Sequence, residues 1–566
     1  MLSDKQHVRD LVHICYQMGI RHVVISPGSR NAPLTISFDN HPGFKCYSIV
    51  DERTAAFFAL GISQQLRVPT LLVCTSGSAL LNYAPAIVEA YYQHIPLLVL
   101  TADRPPEYID IGDGQTMRQT NVYHNYILAS YDLYESGDSL LRKENIDNIA
   151  RAIRMTRTPT PGPVHINIPL SEPLYNTAKE KPLDDLSIPP LERKMHNNLP
   201  DLSLHLDQLP QYPKVLLLCG MMPPSKEWNN ALASFVETHP NVVVLSETTS
   251  NISHPKVISQ IDRTLAGFLH SENAGDFIPD LLITMGHNLI SKHIKKWLRK
   301  ATLKAHWHVD DLASFPDTFH QLTLEIPMSP SRFLSGWRDI TPDENYARKW
   351  HDVVDAVRLK HHRFLRQIPF VDLRAYDPIL QNLLPNTVLQ MGNSTVVRYV
   401  QLFENRPDIQ YFSNRGVSGI DGCSSTAMGA AAVSGQPVVL LTGDIAFGYD
   451  ANAFWHNYLD SNLKIIAFNN GGGSIFRFID GPDTTGQLES LFVTHRPNTI
   501  EGVVRRYDLP YIRVEDLPAL QVVLPSFLSA KEDKPAVLEI KTDGRRGAKV
   551  LRDYFKALSS SNSVDM

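Results

Sequence analysis

Three doubly wound parallel α/β units, the first and third alike, are the fold class this sequence predicts. Short continuous apolar runs (70–74, 96–100, 438–441, 463–468) read as strands buried on both faces, and stretches of helix length separate them. The runs end in short polar or glycine-containing turns: Thr75-Ser76-Gly77, Thr101-Ala102-Asp103, Thr442-Gly443-Asp444 and Asn469-Asn470-Gly471. The order helix, strand, turn, helix, strand, turn occurs twice, over residues 55–103 and again over 424–470, as an internal duplication would give. At 566 residues the chain has room for about three domains of ~150–200 residues each.

In chain order, residues 1–176 make the first unit. Strands are predicted at 21–26, 45–50, 70–74, 96–100 and 164–168, with helices at 54–65 and 79–93. Residues 177–213 carry Pro182, Pro189, Pro190, Pro200, Pro210 and Pro213 among charged residues, which reads as an extended connection. Residues 214–342 make a second unit with strands at 215–218, 242–245, 281–283 and 305–309. Its first strand runs into Cys219-Gly220-Met221-Met222-Pro223, which lacks G-x-G-x-x-G, so the unit reads as scaffold with one loop reaching a site. Residues 343–566 make the third unit. It opens with a charged helical segment over 343–372, and a helix is predicted over 449–458.

Composition narrows the function. Apolar content of 43% and charged content of 20% are those of a soluble globular protein. A net charge of −5 leaves no basic footprint, so nucleic acid is not an expected partner. No apolar run has membrane-spanning length, and the charged first twenty residues hold no signal-peptide core, so a cytoplasmic protein without a membrane partner is expected. Cys15, Cys46, Cys74, Cys219 and Cys423 stand singly, which fits reduced thiols.

The stretch 443–476 carries the clearest chemistry. Asp444 and Asn470, 26 positions apart, each follow a buried strand, and open parallel sheets bind ligands at that edge. A carboxylate, an amide oxygen and a backbone carbonyl near Gly472 are hard donors suited to Mg²⁺, or to Mn²⁺, completed by phosphate oxygens and water. The glycines 471–473 let the backbone approach a phosphate closely. Taken alone, either half also reads as a glycine-rich turn or a helix-start aspartate. Glu52 sits where a strand turns into a helix, where a negative charge is favourable against the helix dipole.

Gly443-Asp444, the following gap and Asn469-Asn470 resemble the thiamine diphosphate motif, with Ile445 where glycine is usual. Together with Ile25-Ser26-Pro27-Gly28-Ser29-Arg30-Asn31-Ala32-Pro33-Leu34, Asp51-Glu52-Arg53, Thr75-Ser76-Gly77, Thr101-Ala102-Asp103-Arg104-Pro105 and Asn414-Arg415-Gly416, it resembles one family over the whole chain. That family is the 2-succinyl-5-enolpyruvyl-6-hydroxy-3-cyclohexene-1-carboxylate synthases of menaquinone biosynthesis. The resemblance implies the thiamine diphosphate-binding fold, with 1–176 as the pyrimidine-binding domain, 214–342 as the central domain and 343–566 as the diphosphate-binding domain. It implies thiamine diphosphate with Mg²⁺ or Mn²⁺ as cofactors, and 2-oxoglutarate and isochorismate as substrates. It also implies a homodimer, or dimer of dimers, with sites between subunits.

The resemblance further assigns roles. Glu52 would act as the carboxylate against the aminopyrimidine ring. Gly443, Asp444, Ile445, Asn470, Gly472 and Ile475 would hold the cofactor, with Asp444, Asn470 and Gly472 on the metal, and Ile420 would bend the cofactor. Ser394 and Arg398 would take the distal carboxylate of 2-oxoglutarate. Arg30, Arg104 and Lys292, with Ser29, would take isochorismate, Gln115 would orient the adduct, and Arg415 would complete the cationic set. Ile475 and Phe476 would wall the acceptor site. His293 stands where the family often has arginine, and Gly114 where it often has asparagine. Another thiamine diphosphate-dependent 2-oxo acid decarboxylase or carboligase, or a non-catalytic protein on the same fold, is the alternative. The first would need a smaller, less cationic pocket.

Overall fold

The computed structural model describes residues 1–179, 206–207, 209–312, 315–337, 343–479, 481–495 and 499–560. Each long apolar run is a strand, and three parallel sheets result. The first sheet contains β1 (His22–Ile25), β2 (Lys45–Ser48), β3 (Thr70–Cys74), β4 (Leu97–Asp103), β5 (Ser130–Asp132) and β6 (Pro163–Pro169), in the order β2-β1-β3-β4-β6-β5. The middle sheet contains β7 (Val215–Cys219), β8 (Val243–Ser246), β9 (Leu281–Met285), β10 (Ala305–Val309) and β11 (Leu324–Ile326), in the order β8-β7-β9-β10-β11. The third contains β12 (Val388–Met391), β13 (Gln410–Phe412), β14 (Val438–Gly443), β15 (Leu463–Asn469), β16 (Tyr511–Val514) and β17 (Ala536–Lys541), in the order β13-β12-β14-β15-β17-β16. Taken strand by strand, the first and third sheets have the same order, which is the duplication expected from the sequence. In both, the order reverses beside the first strand of the sheet, and the carboxyl ends of the strands flanking that point form the crevice where such sheets take ligands.

Helices α1 (Glu52–Leu66) and α2 (Ala84–Gln93) belong to the first sheet, and α3 (Lys292–Lys300) to the middle one. With the third sheet go α4 (Glu344–Gln367), α5 (Asp372–Asn382), α6 (Cys423–Ser434), α7 (Asp444–Tyr449) and α8 (Gly544–Ser559). The predicted helix over 79–93 is broken at Tyr83, because Pro85 enters the first turn of α2 without an N–H to continue it. The helix expected over 449–458 is a correction. The chain turns helical at Asp444 itself, α7 ends at Tyr449, and a 3-10 turn follows at Ala451–Phe454. Asp450 stops the helix by turning its carboxylate onto the N–H and hydroxyl of Ser425, at 2.7 and 2.9 Å.

Of the proline-rich stretch 177–213, residues 180–205 and 208 lie outside the described residues. Thr177–Ala178 pairs antiparallel with Leu2–Ser3, and Leu206 and Leu209 are buried in the middle core. The charged segment is α4, which bridges two units: Tyr346 and Trp350 pack into the middle core, Val357 and Leu365 into the third. The five cysteines are unbridged thiols. Among the described residues no helix is long and apolar enough to cross a membrane.

The first and third sheets share one core through α1 and α6. Val24, Phe58 and Leu72 join Ala427, Met428, Leu440 and Ile465 in a single buried cluster. The two helices touch backbone to backbone: a Cβ on Gly61 would run into the Thr426 carbonyl, and one on Gly429 into that of Phe58. This contact fixes how the two sheets face. The Ser48 N–H, at the carboxyl end of β2, donates to Tyr458 Oη, just ahead of β15, at 2.9 Å. Gly416 and Val417, past the carboxyl end of β13, meet Glu89 in the second half of α2. Each sheet's carboxyl edge therefore lies beside the amino side of the other, and within one chain the two ligand-bearing edges point opposite ways.

Candidate active site

At the third sheet's edge the expected residues come together. β14 and β15 are hydrogen-bonded neighbours with Gly443 opposite Phe468, so Asp444 and Asn470 leave the sheet side by side. Asp444 is buried; its Oδ2 accepts the Gly472 N–H at 2.8 Å and its Oδ1 that of Ile445 at 2.9 Å. Gly472 has φ +117°, and a Cβ there would strike the Val493 carbonyl, so only glycine brings this backbone against the aspartate. Asn470 is oriented: its amide donates to Asp372 Oδ2 at 2.6 Å, which leaves Oδ1 as the atom facing Ser474 Oγ at 2.8 Å. Asp372, the first residue of α5, is fixed in turn by the Thr542 hydroxyl.

The donor set fits a cation with a diphosphate. Burial pushes the Asp444 carboxyl up to about 6, against the pull of the two N–H groups and, more weakly, of Lys541. Among the described residues no three His, Cys, Asp or Glu side chains surround a common point. One carboxylate, one amide oxygen and the Gly472 carbonyl leave coordination positions for phosphate oxygens, as Mg²⁺ prefers. Beyond this loop, Ile475 and Phe476 lie half-buried in a 3-10 turn, with the Phe476 ring 5.6 Å from that of Phe492.

Two expected cations converge on the same edge. Ser394 has φ +73°, which carries its carbonyl under the Arg398 guanidinium one turn on. Arg415 is buried and donates to Asn393 Oδ1 at 3.0 Å. Burial and the proximity of Arg398 depress the pKa of Arg415. The middle unit adds Glu247, pushed up to about 7 by burial although it accepts the N–H groups of Ile290 and Ser291 at 2.6 and 2.7 Å. It also adds Lys295, half-buried, whose pKa is lowered by burial and, more weakly, by Arg415 and Arg398. Lys292 is exposed on the first turn of α3, and His293 faces the Phe555 ring at 5.9 Å. Ile420 follows Arg415 at the end of the same loop, three residues before the start of α6.

The first sheet's edge gathers a second set. Arg30 is buried and donates to the Leu170 carbonyl at 2.7 Å; Arg104 donates to the Gly114 carbonyl at 3.1 Å. The two guanidiniums are close enough for Arg104 to help lower the Arg30 pKa, after burial; Glu172 and Asp113 approach them at 3.4 and 3.9 Å, and among the described residues the Nε of each is buried without a hydrogen-bond partner. Unpaired buried donors of this kind suit an anionic ligand. Ser29 is exposed beside Arg30, and Gln115 is exposed with φ +55°, its backbone against Gly77. Glu52 is half-buried as the first residue of α1, and its Oε2 accepts from Asn82 Nδ2 at 3.2 Å.

Glu52 does not meet the third sheet's edge of its own chain. Its neighbours Asp51 and Arg53 bond Asn452 and the Tyr449 carbonyl, beyond the far end of α7 from Asp444. Gln64, about 18 Å further along α1, is the residue that touches Gln390 near the end of β12. A recess of about 300 Å³, lined by Arg67, His94, Met222, His287 and Asp310, lies at the junction with the middle unit, with Phe412 and Ser413 from the end of β13 also in its wall.

Similarity to known proteins agrees with this geometry. Residues 6–125 match the thiamine pyrophosphate enzyme family's N-terminal TPP binding domain, and residues 390–540 its C-terminal TPP binding domain. A protein of Flavobacterium johnsoniae is 41% identical over 561 residues, covering 97% of this chain and 98% of that protein. One of Flavobacterium psychrophilum is 42% identical over 562 residues, with the same coverage. One of Porphyromonas gingivalis is 36% identical over 580 residues, covering 99% and 98%. All three are named 2-succinyl-5-enolpyruvyl-6-hydroxy-3-cyclohexene-1-carboxylate synthase. This chain belongs to that family. It is a thiamine diphosphate enzyme, and its first and third sheets are the two halves of the cofactor-binding fold. The sequence motifs named neither Glu89, Asn288, Asp372, Glu247 nor Lys295, which the structure adds around the matched residues.

Proposed function

We propose that this chain decarboxylates 2-oxoglutarate and joins the remaining four-carbon unit to isochorismate by conjugate addition, giving 2-succinyl-5-enolpyruvyl-6-hydroxy-3-cyclohexene-1-carboxylate for menaquinone biosynthesis. The observation that carries it is the meeting of Arg398 and Arg415 at the sheet edge that holds Asp444 and Asn470, which suits a dianionic 2-oxo acid beside a metal-bound diphosphate. Bound thiamine diphosphate supplies the electron sink that lets a 2-oxo acid lose CO₂ and its former carbonyl carbon act as nucleophile. Asp444, Asn470 and the Gly472 carbonyl would hold Mg²⁺ or Mn²⁺, and Gly443, Ile445 and Ile475 would border the cofactor. Ile420 would prop it, and Glu52 would exchange a proton with its aminopyrimidine. Ser394 and Arg398 take the distal carboxylate of 2-oxoglutarate. Arg30, Arg104 and Lys292, with Ser29, take the isochorismate carboxylates; Gln115 orients the adduct and Phe476 walls the acceptor side.

Turnover of 2-oxoglutarate with isochorismate, set against pyruvate, tests this reading; a preference for pyruvate refutes it. Arg398→Ala is expected to raise KM for 2-oxoglutarate roughly 10- to 100-fold, from the ~1.5–3 kcal/mol of a charge-assisted bond, and to leave KM for isochorismate near wild type. An equal rise in both would remove Arg398 from its assigned role.

Because the two edges point opposite ways, the site is completed by a second chain. Glu52 of one protomer serves the cofactor held by Asp444 of its partner, in a homodimer or dimer of dimers in the cytoplasm. Glu52→Gln and Asp444→Ala chains, each inactive alone, should regain roughly one quarter of wild-type activity after equal mixing and full subunit exchange. Half the dimers are then mixed, and each mixed dimer carries one intact site of two. No recovery after proven exchange would mean that each chain holds a whole site.

A further inference from the structure

The loop 414–420 carries Arg415 and Ile420, and it is tied down from every side. Its own unit supplies Asn393, whose amide donates to the carbonyls of Asn414 and Gly419, each at 2.6 Å, and whose Oδ1 receives Arg415. The middle unit supplies Asn288, whose amide donates to the carbonyls of Arg415 at 2.7 Å and Gly416 at 3.0 Å. The first unit supplies Glu89 from α2. Its Oε1 accepts the Gly416 N–H at 2.6 Å and its Oε2 the Val417 N–H at 2.8 Å. Glu89 is 1% exposed, and Gly416 packs so closely that a Cβ there would run into Glu89's own carbonyl. Burial pushes the Glu89 carboxyl up, and the backbone N–H groups and Gln93 hold it down.

We propose that Glu89 and Asn288 are positioning residues that latch this loop across domains, so that Arg415 and Ile420 meet substrate and cofactor in one fixed geometry. The chemistry of the latch is specific. Two adjacent N–H donors need two acceptor oxygens on one side chain, which a carboxylate has and a carboxamide lacks. The Asn288 amide supplies the complementary donors to the carbonyls on the other face of the same turn. A bare packing role would need neither a buried charge nor a bidentate amide. The proposal rests on the roles given above to Arg415 and Ile420.

The test uses the full-length enzyme loaded with thiamine diphosphate and Mg²⁺, with five variants: Glu89→Gln, Asn288→Ala, Arg415→Ala and Ile420→Ala as references, and the double variant Glu89→Gln/Ile420→Ala. Three quantities are read: melting temperature, hydrogen–deuterium exchange at C2 of the bound cofactor without substrate, and KM for 2-oxoglutarate. Asn288 is exposed, so Asn288→Ala should keep the wild-type melting temperature. It should still slow C2 exchange or raise KM by about 10-fold or more, since small misplacements at a site are costly. Glu89→Gln should do the same more strongly, and its effect on exchange should be less than additive with Ile420→Ala. If Glu89→Gln fails to fold, Asn288→Ala decides alone. Wild-type exchange and KM in Asn288→Ala, with altered values in both reference variants, would overturn the latch and leave the site assignment standing. Wild-type values in the reference variants would overturn both.

Discussion

Glu52→Gln is expected to bind thiamine diphosphate and both substrates nearly as wild type does, and to exchange the C2 proton of the bound cofactor ~10²–10⁴-fold more slowly, the range typical of losing a general acid–base group. The amide keeps the shape of the carboxylate and can hydrogen-bond an aminopyrimidine, but it cannot trade a proton with it. Asp51 caps α1 through the Thr54 N–H at 3.0 Å, and Arg53 is held by the Tyr449 carbonyl at 2.8 Å. The residue between them is thus aimed outward by a rigid helix start, and Asn82 is the side chain bonded to it. The Asn82 amide can also donate to a glutamine Oε1, and a helix-start charge is worth only ~0.3–1 kcal/mol, so the substitution should lower the melting temperature slightly at most. Exchange is measured without substrate by quenched NMR, which isolates activation from decarboxylation and carboligation. A wild-type exchange rate would make Glu52 a helix-start charge and nothing more.

The strands were legible because parallel strands buried on both faces have no solvent side to interrupt them, so residues 70–74 and 463–468 read as unbroken apolar runs. The pairing of Asp444 with the Gly472 loop was legible for a related reason. Adjacent parallel strands must deliver their following residues to one edge, whatever the helix between them does. That helix was misplaced because the aromatic spacing of 449–458 mimics a helical face, whereas the determinant is Asp450, fixed to Ser425 of a different element. Glu89 and Asp372 were invisible for the same cause. Each is an ordinary helix carboxylate in sequence, and its partner lies 327 and 98 positions away. Lys295 was not legible either: three residues after Lys292 on α3, it is half-buried with its Nζ on the Leu289 carbonyl and close to Glu247, a placement that follows from helical phase. The opposed edges of the first and third sheets could not be read at all, since they follow from the close contact of α1 and α6 at Gly61 and Gly429.

Asp444→Ala is expected to abolish retention of thiamine diphosphate and Mg²⁺ through gel filtration, with an affinity loss beyond the ~10–100-fold typical of removing a group that only orients a metal ligand. The carboxylate contributes both a charge and an oxygen, and its second oxygen holds the Gly472 N–H, so the loop loses its anchor as well. The cofactor-free chain should respond in the opposite sense. A carboxyl near 6 in the folded chain, against about 3.9 unfolded, means that the folded state binds more protons between those values. Stability from this group is therefore fully present below about pH 4 and is lost as pH rises through about 6, by something on the order of 3 kcal/mol. At neutral pH the cofactor-free protein carries a buried charge that the two N–H groups and the more distant Lys541 offset only in part. Asp444→Asn removes the charge but also gives up one of the two acceptor oxygens that take the Ile445 and Gly472 N–H groups, so its cofactor-free melting temperature should lose the wild type's fall between about pH 4 and pH 6, whatever its absolute value. It should melt below wild type once saturating Mg²⁺ and cofactor are added, because binding stabilises only the chain that binds. Calorimetry of the two proteins over that pH range, with and without ligands, reads both effects. A cofactor-free Asp444→Asn chain whose melting temperature falls over the same pH range as wild type would remove Asp444 as the titrating group, and equal ligand-induced stabilisation would show the metal to sit elsewhere.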